Sequence, residues 1–277
     1  MKDSLKGRLR VKLRERIIRL ASKTPTAHPH IGSCMSCIDI LIQTLIFEMK
    51  PQDKFILSKG HASLALYVVL NYLGKISDRE LEKTYFEEGT QFGIHTPGTL
   101  PKDIPLATGS LGHGLSFAVG LAKAYKLLQA TNITEAVIRG ALPRVFCLMS
   151  DGECNEGAVW EAAQFAGSHR LHNLITLIDR NRLQAFGRTK DVLGDGGASA
   201  KWRAFGFNVV SCEGHSLKDL EEAFSKVKKF KNKKPNMIIC NTIRGKGIKA
   251  LEGKIESNYT AMEEQIYKQA LKDTQNL

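Results

Sequence analysis

Nine residues, MSDGECNEG at 149–157, follow the apolar run RVFCL. They contain one aspartate, two glutamates and two glycines. A surface turn needs a glycine and sometimes an aspartate, but not this density of carboxylate. Further along, Asn181 follows a second apolar run, LITLIDR. One strand–helix–strand unit separates Asp151 from Asn181, and in a parallel sheet such a unit returns the chain to the same edge. A carboxylate and an amide oxygen then meet above the sheet, within reach of the backbone carbonyl of Leu183. Three oxygen donors, completed by diphosphate oxygens and water, make an octahedral site for Mg²⁺, with Ca²⁺ also admissible. Gly152 lets the backbone approach a phosphate, and a helix opening near Glu156 presents free N–H groups to it. Each half alone is an ordinary strand-end turn. The pair at this spacing points to a metal–diphosphate site.

Three histidines, His30, His61 and His95, sit in glycine-flanked turns ahead of apolar stretches. Neutral imidazoles exchange protons near pH 7 and can hydrogen-bond an alkoxide. A lone histidine is ordinarily a surface or core residue; three in such turns point to a site.

The elements that must position these groups follow from periodicity. Leu5, Leu9, Leu13 and Ile17 recur at helical spacing. CIDILIQTLIFEM reads as a helix apolar nearly all round, hence buried. KFILS, RVFCLMS, LITLIDR, FNVVSC and NMIICNTI read as strands. Helices are expected over ASLALYVVLNYLG, closed by Gly74, after the capping box SDRE at 77–80, and over the stretch following GSLGHG. Others are expected over AVWEAAQFAG, ASAKWRAFG and SLKDLEEAFSKVKK, the last capped by Ser216 and Asp219. Apolar strands alternating with helices predict an α/β fold, a doubly wound parallel sheet flanked by helices. Ligands of such sheets bind beyond the carboxyl ends of the strands, where the opening motif lies. One domain spanning 1–277 is expected, with a polar C-terminal tail from about residue 246 as the only linker-like stretch.

DGECNEGAVWEAA and DRNRLQAFGRT resemble transketolase, and D-G-E…N resembles the thiamine diphosphate motif, with Ser150 replacing its first glycine. HPHIGSCMSCIDIL, FILSKGHASLALY and FGIHTPGTLPKDIPLATGSLGHGLSFAVGLA extend the resemblance over nearly the whole chain. The resemblance implies the thiamine diphosphate-binding fold of the diphosphate-holding type. It implies Asp151, Asn181 and the Leu183 carbonyl as metal ligands, and Gly152, Glu153 and His61 at the cofactor's diphosphate end. Gly109, Ser110 and Leu111 would approach the aminopyrimidine, and Ala185 the rings. His30 and His95 would face the reacting carbonyl; Gly32 and Asp39 align that element on His30 rather than His28. Glu156, placed with the catalytic groups, and Glu161 would link the two cofactors of a dimer. There are departures. No histidine follows the last strand, and Asn258 stands near its place. Lys246 is expected to supply charge to the diphosphate instead. Phe186 stands where an aspartate is common.

A complete transketolase continues into a second domain that supplies the pyrimidine-activating glutamate. The chain therefore resembles the N-terminal subunit of a split transketolase. With a pyrimidine-binding partner it would transfer a two-carbon ketol unit between sugars or sugar phosphates, as a heterotetramer built on a two-fold axis. A decarboxylating synthase or 2-oxoacid dehydrogenase subunit shares the cofactor chemistry, but SKGHA and GSLGHG favour transketolase. A non-catalytic regulatory homologue is a further alternative, opposed by the retained histidines and metal pair. A nicotinamide domain would show G-x-G-x-x-G after its first strand.

The chain of 277 residues holds 40 Lys and Arg against 28 Asp and Glu, a net charge of +12 that suits anionic ligands or an acidic partner. No finger or other nucleic-acid module accompanies that charge, so no nucleic-acid partner is expected. There is no unbroken run of about 18 apolar residues, so no membrane span is expected. The six cysteines lie mostly in apolar runs, as reduced core thiols do. Cys34 and Cys37 lack a second ligand pair and read as packed helix, not zinc. The basic N-terminus lacks the apolar core of a secretory signal, and its acidic residues oppose a mitochondrial presequence. A cytoplasmic location is expected.

Overall fold

The computed structural model describes residues 4–23, 29–100, 104–130 and 141–276. Five strands form one parallel sheet in the order β1 (Lys54–Leu57), β2 (Val145–Ser150), β3 (Leu174–Arg180), β7 (Asn236–Asn241) and β6 (Asn208–Glu213). β2 is buried along its whole length, because helices cover both faces of the sheet. A two-stranded hairpin, β4 (Leu183–Gln184) and β5 (Gly187–Arg188), follows β3 and was not foreseen from the sequence. Two residues per strand are too few for an alternation pattern to show.

One face of the sheet carries α1 (Leu5–Ala21), α2 (Ile31–Leu41) and α3 (Ser63–Tyr72) within the larger core. The other carries α5 (His113–Ala130) and α6 (Gly157–Ser168). α2 continues into a π-helical stretch, Ile42–Glu48. By length and composition the stretch Ile31–Glu48 is able to cross a membrane, yet 89% of it is buried inside this fold. The chain itself therefore covers this helix, as its apolar character all round requires. On α5, Phe117 and Leu127 do remain exposed. The short helix α4 (Asp78–Thr84) is capped as expected, the Ser77 hydroxyl accepting from the Glu80 N–H at 3.1 Å. The Glu80 carboxylate accepts from Gln91 at 2.6 Å. Cys34 and Cys37 are buried, and burial pushes the Cys34 thiol up to about 11.

The segment after residue 246 is not a linker. Ile248, Leu251, Met262 and Ala270 are buried in the core, and the final helix, Glu264–Gln275, lies against α1. Arg14, fully buried, anchors the segment by donating to the Lys246 carbonyl at 2.7 Å and to Asp39 at 2.6 Å. Arg10 and His215 also reach Asp39. Burial alone would raise the Asp39 carboxyl, but these cations and the His215 hydrogen bond hold it well below the ordinary carboxylate range.

Helix α6 meets the segment before β6 at Gly167. A Cβ there would lie 1.9 Å from the Phe205 carbonyl oxygen. Gly167→Ala is therefore expected to destabilise the fold by about 2–3 kcal/mol, read as a lowered denaturation midpoint at unchanged slope.

Candidate functional site

A cavity of ≈ 460 Å³ opens at the carboxyl ends of the strands. β1 runs into SKGHA, whose 3₁₀ turn Gly60–Ala62 carries His61. α2 is preceded by His30, which holds a left-handed conformation with φ 47° and ψ 42°. That conformation is uncommon for a residue with a Cβ and tends to persist where function fixes it. The His30 and His61 rings lie 5.5 Å apart, centroid to centroid, and His95 lies 6.2 Å from His30. All three line the cavity. His28 lies outside the described residues. Burial, then Lys59 and the neighbouring cationic and imidazole groups, lowers His61 well below the ordinary imidazole range, so its ring is neutral. Burial lowers His95 as well.

Asp151 and Asn181 follow neighbouring strands, β2 and β3; Asn181 lines the cavity, while Asp151 is not among its lining residues. In the parallel register Ser150 stands beside Asp179, one step before Asp151 and two before Asn181. The Asp151 carboxylate accepts from the Arg182 N–H at 2.7 Å and from the Gly152 N–H at 3.0 Å. The Asn181 side-chain oxygen accepts from the Leu183 N–H at 3.0 Å, which starts the hairpin. Asp151 is fully buried. Burial and then Asp179 push its carboxyl up to about 6, against the opposing pull of the Arg182 N–H, Lys59 and the Gly152 N–H. A carboxylate held this way favours a cation beside it. Among the described residues no three His, Cys, Asp or Glu side chains form a metal cluster. The expected donors are one carboxylate, one amide and one backbone carbonyl, oxygen types that suit a hard dication.

The remaining expected residues divide. Gly109, Leu111, Gly152, Glu153, Glu156, Asn181, Leu183 and Ala185 line the cavity. Ser110 is exposed beside it and is not a lining residue. Close packing explains two of the glycines: a Cβ on Gly109 would lie 3.1 Å from the His95 ring, and one on Gly152 3.0 Å from Gln184. The Glu153 carboxylate is fully buried and engaged within the protein. It accepts from Ser58 and, at 2.9 Å, from the Gly112 N–H. Glu156 and Glu161 are exposed on the first turns of α6.

Lys246 is a correction. Its ammonium pairs with Glu252 at 3.4 Å and it does not line the cavity. The cation that does is Arg244, which sequence reasoning missed. Arg244 is only 4% exposed, and its Nε and Nη1 find no hydrogen-bond acceptor among the described residues. Gln184 also lines the cavity, and its Nε2 is buried with no acceptor among the described residues. Unpaired buried donors are costly and mark a place where an anion or carbonyl binds. Asn258 is buried and bonded to Ser33 through both ends of its amide, at 2.9 and 3.0 Å. Tyr259, beside it, lies edge-on to His30 with centroids 6.0 Å apart. Phe186, 88% exposed, stands at the cavity rim.

Comparison with known proteins identifies the family. Residues 22–274 match the family described as transketolase, thiamine diphosphate binding domain. An apulose-4-phosphate transketolase subunit from Phocaeicola vulgatus is 35% identical over 272 residues, covering 95% of this chain and 91% of that protein. A 6-deoxy-6-sulfo-D-fructose transketolase subunit from a Clostridium species is 35% identical over 87% of this chain and 86% of its own length. The crystal structure of Campylobacter jejuni transketolase superposes with a TM-score of 0.78 at 26% identity, over 95% of this chain and 43% of that one. With the family model matching most of its length, this chain belongs to the transketolase family and carries its thiamine diphosphate-binding domain.

Proposed function

We propose that the chain is the diphosphate-binding subunit of a two-chain transketolase. Together with a pyrimidine-binding partner it moves a two-carbon ketol unit from a ketose to an aldose. The observation that carries this reading is the convergence of His30, His61, His95, Asn181 and Arg244 on one cavity of a transketolase-family fold. Two relatives that this chain matches over most of their length are themselves named as subunits, which supports a separate partner. Their names pair a sugar with a phosphate or a sulfo group, which supports an anionic sugar as the substrate class.

Asp151, Asn181 and the Leu183 carbonyl would hold Mg²⁺, or Ca²⁺ in its place. His61, Gly152 and Arg244 would hold the diphosphate, Arg244 filling the charge role expected of Lys246. Thiamine diphosphate, when bound, supplies the nucleophilic carbon that carries the two-carbon unit. The chain's own part is to bind, orient and exchange protons. His30 and His95, which line the cavity, would hydrogen-bond the substrate's carbonyl and hydroxyls and shuttle protons there. Glu156 and Glu161 are exposed in the single chain, as carboxylates must be if they link two sites across a two-fold axis. All six cysteines are free and five are buried, which fits the cytoplasmic location included in this reading.

The test is ketol transfer from a ketose to an aldose by the mixed chains, with variants that separate binding from turnover. His30→Ala and His95→Ala are expected to lower kcat on the order of 100-fold with the cofactor Kd little changed. His61→Ala is expected to raise the cofactor Kd instead. Identical behaviour of all three would overturn this division of roles.

A further inference from the structure

Asp179 is fully buried at the end of β3, two residues before Asn181. Three hydrogen bonds converge on its carboxylate from three other segments. Lys59, also fully buried, donates its ammonium. Ser36 of α2 donates its hydroxyl. Thr242, just past β7, donates its hydroxyl to the other oxygen. Each partner is a short step from a cavity residue: Lys59 from His61, Thr242 from Arg244, and Ser36 from Ser33, one helical turn back. One carboxylate thus ties β3 to three other segments, each of which brings a residue to the cavity.

A buried ion pair is a poor device for stability alone. Desolvating both charges offsets most of their attraction, and packed apolar residues would often do as well. What the pair provides is a fixed geometry with directional bonds to several elements at once. We propose that Asp179 is a positioning residue for the proposed cofactor site, acting through Lys59, Thr242 and Ser36 to set His61, Arg244 and Asn181 at a common depth. This rests on the reading of the cavity as a thiamine diphosphate site.

The Asp39 cluster provides an internal control. Asp39 is equally buried and bound by Arg10, Arg14 and His215, but neither it nor these partners line the cavity. The experiment uses the full-length chain and measures Tm, together with Kd by calorimetry for Mg²⁺ with inorganic diphosphate and for Mg²⁺ with thiamine diphosphate. Asp179→Asn and Asp39→Asn should both lower Tm. Asp179→Asn is expected to weaken diphosphate binding about tenfold or more, as loss of outer-sphere support does, while Asp39→Asn leaves it unchanged. Thr242→Val removes one hydroxyl and leaves no charge unpaired, so it tests the idea even if Asp179→Asn fails to fold. It should weaken binding in the same direction with little change in Tm. Equal losses of affinity in Asp39→Asn and Asp179→Asn, or unchanged affinity in Thr242→Val, would overturn the proposal. Failure of the wild-type chain to bind either diphosphate would instead defeat the cofactor-site reading on which the proposal rests.

Discussion

Asp151→Ala is expected to abolish Mg²⁺-dependent thiamine diphosphate binding and to leave the fold in place. Asp151 would be the only charged group among the three proposed ligands, the others being an amide oxygen and a backbone carbonyl. A hard dication loses most of its electrostatic attraction with it. Outer-sphere substitutions at metal sites already cost about 10–100-fold, so removal of the charged ligand itself should exceed that range. The same carboxylate accepts from the Arg182 N–H, and its loss also loosens the entry to the hairpin. Asp151→Asn separates the two effects, because it keeps an acceptor for Arg182 and removes the charge. Calorimetry with Mg²⁺ and cofactor on the assembled complex, beside a thermal melt, is the measurement. Loss of binding in both variants at near-native Tm is expected. Unchanged affinity in Asp151→Ala would remove the metal site from the mechanism.

The sequence exposed the fold through its strands. LITLIDR spans the same residues as β3, because a parallel strand buried on both faces is an unbroken apolar run. The three histidines stood out because each sits in a glycine-flanked turn ahead of an apolar stretch. The supporting charges did not. Lys59 and Asp179 lie 120 residues apart, and nothing local tells a buried lysine from a solvated one. The exchange of Lys246 for Arg244 has a conformational cause. Gly245 and Gly247 take positive φ, 75° and 94°, and turn the chain so that Arg244 reaches the cavity while Lys246 faces Glu252. The segment after residue 246 misled for a related reason. Its few apolar residues are irregularly spaced, and its anchor is a carbonyl bound by a buried arginine, which leaves no periodic trace.

The second large effect concerns assembly. The purified chain is expected to show no ketol transfer alone and to gain it on mixing with a partner that binds the cofactor's pyrimidine. Among the described residues, the carboxylates lining the cavity are Glu153 and Glu156. Glu153 is committed to Ser58 and the Gly112 N–H, and Glu156 is proposed for the link across the two-fold axis. Neither is left to activate a pyrimidine ring. The rim also asks for cover. Phe186 and Leu193 are 88% and 69% exposed beside the cavity, more apolar surface than a water-facing rim favours. A partner closing over them would exclude water from the reacting centre and bury those side chains at once. The proposed product is a heterotetramer with two cofactors. Measuring transfer for each chain separately and for the mixture, with mass in solution alongside, gives the answer. Phe186→Ser should weaken assembly while leaving the isolated chain's binding of Mg²⁺ and diphosphate intact, because Phe186 belongs to the rim and not to the diphosphate contacts. Full transfer activity from this chain alone would overturn the two-chain reading, since it would require a pyrimidine-activating carboxylate that neither Glu153 nor Glu156 is free to provide.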